Sequence, residues 1–219
     1  MIVTLLLFSM VFAGCIGGLS DDGGNGLPDA VSCTAHPTAG FTEYSDSFIV
    51  QHPWNLDESD RFSFTNNIYS TWIHHDDLPF EKGSPTGPRT EMRWSQGWDS
   101  GERMWEADVL VDAPTSHSAV MQVKSNDPGA HEAIYLQVDN GHLQNGVGPT
   151  IANNIVGHWF HANVAYNANT RVARVWINNC LVFTRTHPVA ATWYFKNGVY
   201  GCDPVSCESH FKNVHFWRR

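Results

Sequence analysis

Positive charge is scarce in this chain. Its 219 residues carry 13 lysines and arginines against 22 aspartates and glutamates, a formal net charge of −9 at neutral pH. Only four of the cations are lysines: Lys82, Lys124, Lys196 and Lys212. Holding a run of nucleic-acid phosphates takes a broad basic surface that this balance does not supply, so nucleic acid is excluded as a partner, while a small basic cleft is not. Sustained helical periodicity is missing too, which argues against a helical protein. Long apolar runs are confined to Ile2–Ala13, a stretch too short to span a bilayer comfortably.

That run sits where the core of a signal peptide belongs, and residues 1–15 are read as one. Phe12-Ala13-Gly14-Cys15 resembles a bacterial lipobox, and residues 16–40, beginning with a Gly- and Asp-rich stretch, read as a flexible tether and N-terminal arm. Two readings stay open: a lipid anchor on Cys15 that ties the protein to a membrane, and free secretion after ordinary cleavage. Without Cys15 the cysteines form an even set, as an oxidising compartment would pair. Cys202 and Cys207 flank a short "DPVS" turn and make the natural local bridge, which leaves Cys33 for Cys180. Sequence alone permits three connectivities, and the spacings match no common structural zinc pattern.

What the chain does have is aromatic and turn chemistry. Aromatics make up 12% of it, with nine tryptophans, and from Phe41 onward short alternating stretches are broken by turn residues. "RMWEADVLVD" sets Met104, Glu106 and Asp108 against Arg103, Trp105, Ala107 and Val109. Asn140-Gly141 is a strong hairpin signal, and Asn178-Asn179 marks another turn. Eight or more such strands in one domain, residues 41–219, indicate an all-β fold, a two-sheet β-jelly roll of the concanavalin A-like sandwich type. Trp72, Trp94, Trp98 and Trp105 are expected in the core or covering a sheet. His117, His131, His158 and His161 have no partner pattern and are read as structural.

Three segments carry chemistry-bearing residues. In "PRTEMRW" a strand would turn Arg89, Glu91 and Arg93 to one face. "MQVK" puts Gln122 and Lys124 on one face, and "YFKNGVY" offers Tyr194, Lys196 and Tyr200. Each alone is as well explained by a solvated sheet face or a salt-bridge ladder. Together, and in this order, they resemble the alginate-lyase and glucuronan-lyase group of polysaccharide lyases, whose jelly rolls carry R-(S/T)-E-x-R, Q-(I/V)-H and Y-F-K-x-G-x-Y strands.

The resemblance implies roles. Arg89 and Arg93 would hold sugar carboxylates with Glu91 orienting them, Gln122 would help neutralise the uronate carboxyl group, and Lys196 and Tyr194 would contact substrate. Tyr200 matches the tyrosine that moves the proton. Lys124 stands where the group usually has histidine, either as a permanent cation that neutralises the carboxylate, the favoured reading, or as a base. For the loop histidine that some glucuronan lyases place beside the tyrosine, the sequence offers His75, with His74 as a substrate contact; with Asp76 and Asp77 the pair reads equally as a metal cluster or a solvated turn.

These residue types suit β-elimination. Removing the C5 proton beside a charged carboxylate needs donors that stabilise an enolate-like intermediate, a base for the proton, and an acid for the leaving O4. A tyrosine can be both where nearby cations stabilise its phenolate. The expected function is cleavage of a 4-linked anionic polysaccharide, glucuronan or alginate among the candidates, by a monomer that requires no organic cofactor. A structural calcium is compatible with such sandwiches, but no ligand loop identifies it. The rivals are a carbohydrate-binding module or lectin on the same fold and, third, a glycoside hydrolase, for which Glu91 lacks a carboxylate partner on its own strand.

Overall fold

The computed structural model describes Cys33 and residues 36–219. The expected signal peptide, the lipobox at Cys15 and the Gly- and Asp-rich tether lie outside the described residues. The chain forms β1 (Thr42–Tyr44), β2 (Phe48–Gln51), β3 (Phe62–Thr65), β4 (Ile68–His74), β5 (Arg89–Trp94), β6 (Glu102–Val111), β7 (Ser118–Lys124), β8 (Glu132–Asp139), β9 (His142–Asn145), β10 (Thr150–Ala152), β11 (Phe160–Asn167), β12 (Val172–Ile177), β13 (Cys180–Thr186), β14 (Tyr194–Tyr200) and β15 (Ser206–Arg218). One short 3-10 turn, Glu58–Asp60, precedes β3.

The strands build the expected two-sheet sandwich. One sheet, called here the site sheet, runs β10-β9-β8-β7-β14-β5-β2; the back sheet runs β13-β12-β11-β6-β15-β4-β3, with β1 added beside β15. Alternation explains which side chains meet between them. From the site sheet, Met92, Trp94, Met121, Val123 and Phe195 turn inward; from the back sheet, Trp105, Val109, Phe211 and Phe216 meet them. Trp94 packs on Phe216 with ring centroids 4.4 Å apart, and Trp98 on Phe195 at 4.6 Å. Each such buried ring contributes on the order of 2–3 kcal/mol from area alone. Trp94, Trp98 and Trp105 are therefore core, as their sequence context indicates, while Trp72 is half-buried on β4.

The turns follow their sequence. Asn140 and Gly141 both adopt positive φ, 49° and 82°, in the hairpin joining β8 to β9, and Asn178 and Asn179 do the same, at 48° and 67°, between β12 and β13. Two consecutive left-handed residues match the twist of the flanking strands. The disulfides are Cys202–Cys207 and Cys33–Cys180, the second tying the N-terminal arm to the start of β13. Disulfides fit an oxidising, extracellular setting. Among the described residues, no helix is long and apolar enough to cross a membrane.

Candidate functional site

The three motif strands lie side by side: β14 is the middle strand, with β7 on one side and β5 on the other. Register then fixes the neighbours across them. Lys196 sits between Gln122 and Arg93, Tyr194 beside Lys124, Gly198 beside Glu91, and Tyr200 beside Arg89. On the core side of the same strands, Asn197 accepts a hydrogen bond from the Trp94 indole at 2.7 Å. Alternation thus separates a packed face from a polar one, and the polar face is turned away from the core.

Gly198 permits this arrangement. Its φ is 152°, and a Cβ there would lie 2.2 Å from the carbonyl oxygen of Thr90. Any side chain would push β14 off β5 at the level of Glu91.

Glu91 is the centre of the polar face. Its side chain is 1% exposed, yet it is surrounded by donors. Gln122 Nε2 donates to Oε1 at 2.5 Å, the buried Lys196 ammonium donates to Oε2, and an Arg89 guanidinium nitrogen lies 3.6 Å from Oε2. Burial pulls Lys196 below the ordinary lysine range, Glu91 opposes that pull, and the nearby Arg89 adds to it. Glu91 consequently faces the cations and orients them.

Two tyrosines brace the arginines. The Arg89 guanidinium lies over the Tyr200 ring, 4.1 Å from its centroid, and that of Arg93 over Tyr194 at 4.4 Å. The Tyr194 hydroxyl donates to Asn126 at 2.8 Å, and burial pushes its phenol upward against the opposing pull of Arg93. Tyr135 from β8 meets Tyr200 edge-on, with centroids 6.3 Å apart, and its own phenol is raised chiefly by burial. Lys124 pairs with Glu132 at 2.5 Å.

Above this face is a cavity of about 210 Å³ lined by Arg89, Arg93, Lys124, Lys196, Tyr194, Asn126 and Gln51. The loop between β4 and β5 supplies Phe80, Glu81, Ser84 and Thr86 to the wall. Among the described residues, Arg89 Nε and Gln51 Oε1 are buried without a hydrogen-bond partner. An unpaired donor and acceptor in the wall of one cavity suit a polar ligand that completes them.

The structure therefore brings together Arg89, Glu91, Arg93, Gln122, Lys124, Tyr194, Lys196 and Tyr200. It places His74 and His75 elsewhere. His74 ends β4, paired with Ser206 of the back sheet. The His75 ring nitrogen Nδ1 is 2.6 Å from the Cys202 carbonyl, and its backbone N–H donates to Val205. Neither lines the cavity. Nor do the two histidines and two aspartates converge on a cation, because Asp77 accepts two hydrogen bonds from Arg61 at 2.7 Å and one from the His74 backbone. The metal-compatible group found among the described residues is instead Asp112, Glu208 and His210, on the back sheet.

Sequence reasoning missed Tyr135, Asn126, Gln51 and Glu132. Tyr135 had a signal, since it alternates correctly within "HEAIYLQVD". Gln51 is set by the pairing of β2 with β5, Glu132 by the register of β8 on β7, and Asn126 by a loop that meets Tyr194 of β14, none of which sequence displays.

No protein-family model matches the chain. It is 35% identical over 200 residues to the citrate-binding protein of Hevea brasiliensis, covering 88% of this chain and 83% of that one. Among solved structures it resembles alginate lyase AlgAT5 of polysaccharide lyase family 7, with a TM-score of 0.64 at 17% identity over 79% of this chain and 94% of that one. Alginate lyase PA1167 of Pseudomonas aeruginosa gives 0.62 at 16% identity, over 79% and 98%. The family 7 lyase AlyA1 of Zobellia galactanivorans gives 0.61 at 15%, over 82% and 95%. At such identities the likeness establishes a shared jelly-roll sandwich.

Proposed function

This chain belongs to the family of the Hevea brasiliensis citrate-binding protein, and from that premise we propose that its cleft recognises carboxylates, those of a 4-linked uronic-acid polysaccharide that it cleaves by β-elimination. One observation carries the reading. In a protein of net charge −9, four cations, Arg89, Arg93, Lys124 and Lys196, line a single cavity, with Tyr200 stacked on one of them.

The chemistry follows from that placement. A uronate carboxylate enters the cavity and is neutralised by Arg89, Lys196 and Lys124, with Gln122 and Glu91 fixing the donors beneath. Charge that develops on the carboxylate as C5 loses its proton is met by groups already oriented, which is the condition for electrostatic stabilisation. Tyr200, as phenolate, takes the C5 proton. The C5–H electron pair becomes the C4=C5 double bond, the C4–O4 bond breaks with its electrons on oxygen, and the tyrosine returns its proton to O4. The products are an unsaturated uronate at a new non-reducing end and a shortened chain with a free anomeric hydroxyl at its new reducing end.

The test is the ultraviolet absorbance of that unsaturated uronate during incubation with glucuronan, alginate and ulvan. A rise with the native protein, reduced about 10²-fold or more in Tyr200→Phe, supports elimination and names the polymer. No rise on any polyuronate ends the lyase reading.

One observation favours a second reading, carboxylate binding without cleavage. Lys124 occupies the position where the lyase motif has histidine, and it is held by Glu132; the family relative is named for binding citrate. Under this reading citrate titrates into the cleft calorimetrically, Arg89→Ala abolishes the heat, and Tyr200→Phe leaves it intact.

A further inference from the structure

Beyond the cationic cavity, a larger groove of about 880 Å³ opens at the end of β8. The two meet at one ion pair, since Lys124 lines the cavity and its partner Glu132 lines the groove. A second link runs through the aromatic pair, because Tyr135 lines the groove and meets Tyr200 edge-on, and Tyr200 in turn carries Arg89 of the cavity wall on its ring.

The chemistry of the walls differs between the halves. The cavity holds four cations. In the groove the fixed charges are Arg185 and Glu132, the latter already paired with Lys124, and much of the remaining wall is Tyr135, Phe183, Pro149, Pro188 and Val147. Val147 stands 97% exposed on the rim, between two glycines. A carboxylate placed there would have one exposed cation, Arg185, to offset its lost water, against four in the cavity, a less favourable exchange. The C–H face of an uncharged pyranose would instead pack on the aromatic and proline surfaces while its hydroxyls stay wetted at the rim.

We infer that cavity and groove are two halves of one polysaccharide-binding cleft, the cavity taking a uronate and the groove the neutral sugar joined to it. The substrate class is then a polymer in which uronic acid alternates with, or borders on, uncharged sugars, in preference to a homopolymer of uronates. This rests on the proposed recognition of uronates in the cavity and deepens it.

The inference is tested by binding rather than turnover, so that it can fail separately from the elimination reading. Tyr200→Phe protein is titrated calorimetrically with two hexasaccharides at one ionic strength, one all-uronate and one alternating uronate with neutral sugar. The alternating ligand binds about tenfold tighter or more, the scale on which one mismatched group discriminates in a site. Val147→Glu, at an exposed position outside the cationic machinery, erases most of that preference while leaving the affinity for a single uronate unchanged. Arg185→Ala changes neither ligand's affinity materially.

Equal or tighter binding of the all-uronate ligand overturns the inference, as does a Val147→Glu preference unchanged from its parent, or a loss for the all-uronate ligand alone in Arg185→Ala. Binding of neither hexasaccharide overturns it together with uronate recognition. Absence of an absorbance rise from native protein, with the alternating preference intact, would remove elimination and leave the bipartite cleft standing.

Discussion

The two outward faces of the sandwich carry charge in the same every-second-residue pattern but assign the minority sign differently. On the site sheet Glu91 is shared among Lys196, Gln122 and Arg89, and Glu132 pairs with Lys124, so that four cations, Arg93 included, face two carboxylates and cations are left over. On the back sheet a histidine takes the central place. His161 is bracketed by Glu106 and Asp108 at 2.9 Å each, and His210 by Asp112 at 3.0 Å and Glu208 at 3.5 Å. Carboxylates are left over at these two clusters, while at the start of β6 Glu102 is shared by Arg174 and Arg219. Depth differs as well: Glu91 is 1% exposed and Lys196 3%, whereas Asp108 is 25% and His161 29%. Alternating charge on a strand therefore says that a face is polar; which sign is surplus, and how far it is buried, decides whether that face binds anions.

The sharpest way to break this contrast is to remove one partner from each face. Glu91→Gln leaves the buried Lys196 without its carboxylate, and breaking a buried pair in this way costs about 3–5 kcal/mol. Asp108→Asn on the back sheet costs about 0.2–1 kcal/mol, the range for partly exposed pairs. Urea unfolding followed by circular dichroism measures both. Equal losses would mean that the two faces are energetically alike and that the site face is an ordinary ladder.

Next in size is Gly198→Ala. The φ of 152° and the approach to Thr90 leave no room for a methyl group, so β14 must move away from β5 and carry Lys196 and Tyr200 with it. Strain of this kind costs about 1–3 kcal/mol. Binding of carboxylate ligands falls further than stability does, because the displaced groups are Lys196, which lines the cavity, and Tyr200, which carries Arg89 of its wall. A variant that loses stability yet binds normally would show that the spacing of β5 and β14 does not govern the site.

Much of this contrast was legible before any coordinates. Alternation in "PRTEMRW" and "YFKNGVY" gave the right faces, because period two is a property of the strand itself. The hairpin at Asn140-Gly141 was equally local. The order of the three motifs picked out eight residues that share one face, although nothing in "HEAIYLQVD" alone says that Glu132 would meet Lys124, which depends on where β8 pairs with β7. His74 and His75 lie apart from these eight for a related reason. Sequence put His74 and His75 near the arginine strand, but β4 belongs to the other sheet, and the chain must cross from one sheet to the other before Arg89 begins. Adjacency along the chain misleads at such a crossing. The back-sheet ladder was half visible: Glu106 and Asp108 were seen to share a face, and His161, which completes them from β11, was read only as structural.

The smallest effect tests that ladder through pH. His161 is raised above its ordinary value of 6.5, first by its hydrogen bond to Glu106, with Asp108 adding to it and burial opposing. A group whose folded value is raised contributes stability that is complete below its unfolded value and is lost as pH climbs through the folded one. Glu106 is lowered from 4.5 because hydrogen bonds from His161 and Trp217 together outweigh burial, the largest single influence, which raises it. Its contribution is present above the unfolded value and is lost as pH falls through the folded one. The pair therefore supports the fold best between these limits, on the mildly acidic side of neutrality. The urea midpoint of the native protein should decline as pH rises above 6.5, and His161→Asn should flatten that decline without touching ligand affinity at the opposite face. A decline that persists unchanged in the variant would assign the pH dependence to other groups and leave the back sheet a face whose charges, unlike those around Glu91, contribute little to holding the sandwich together.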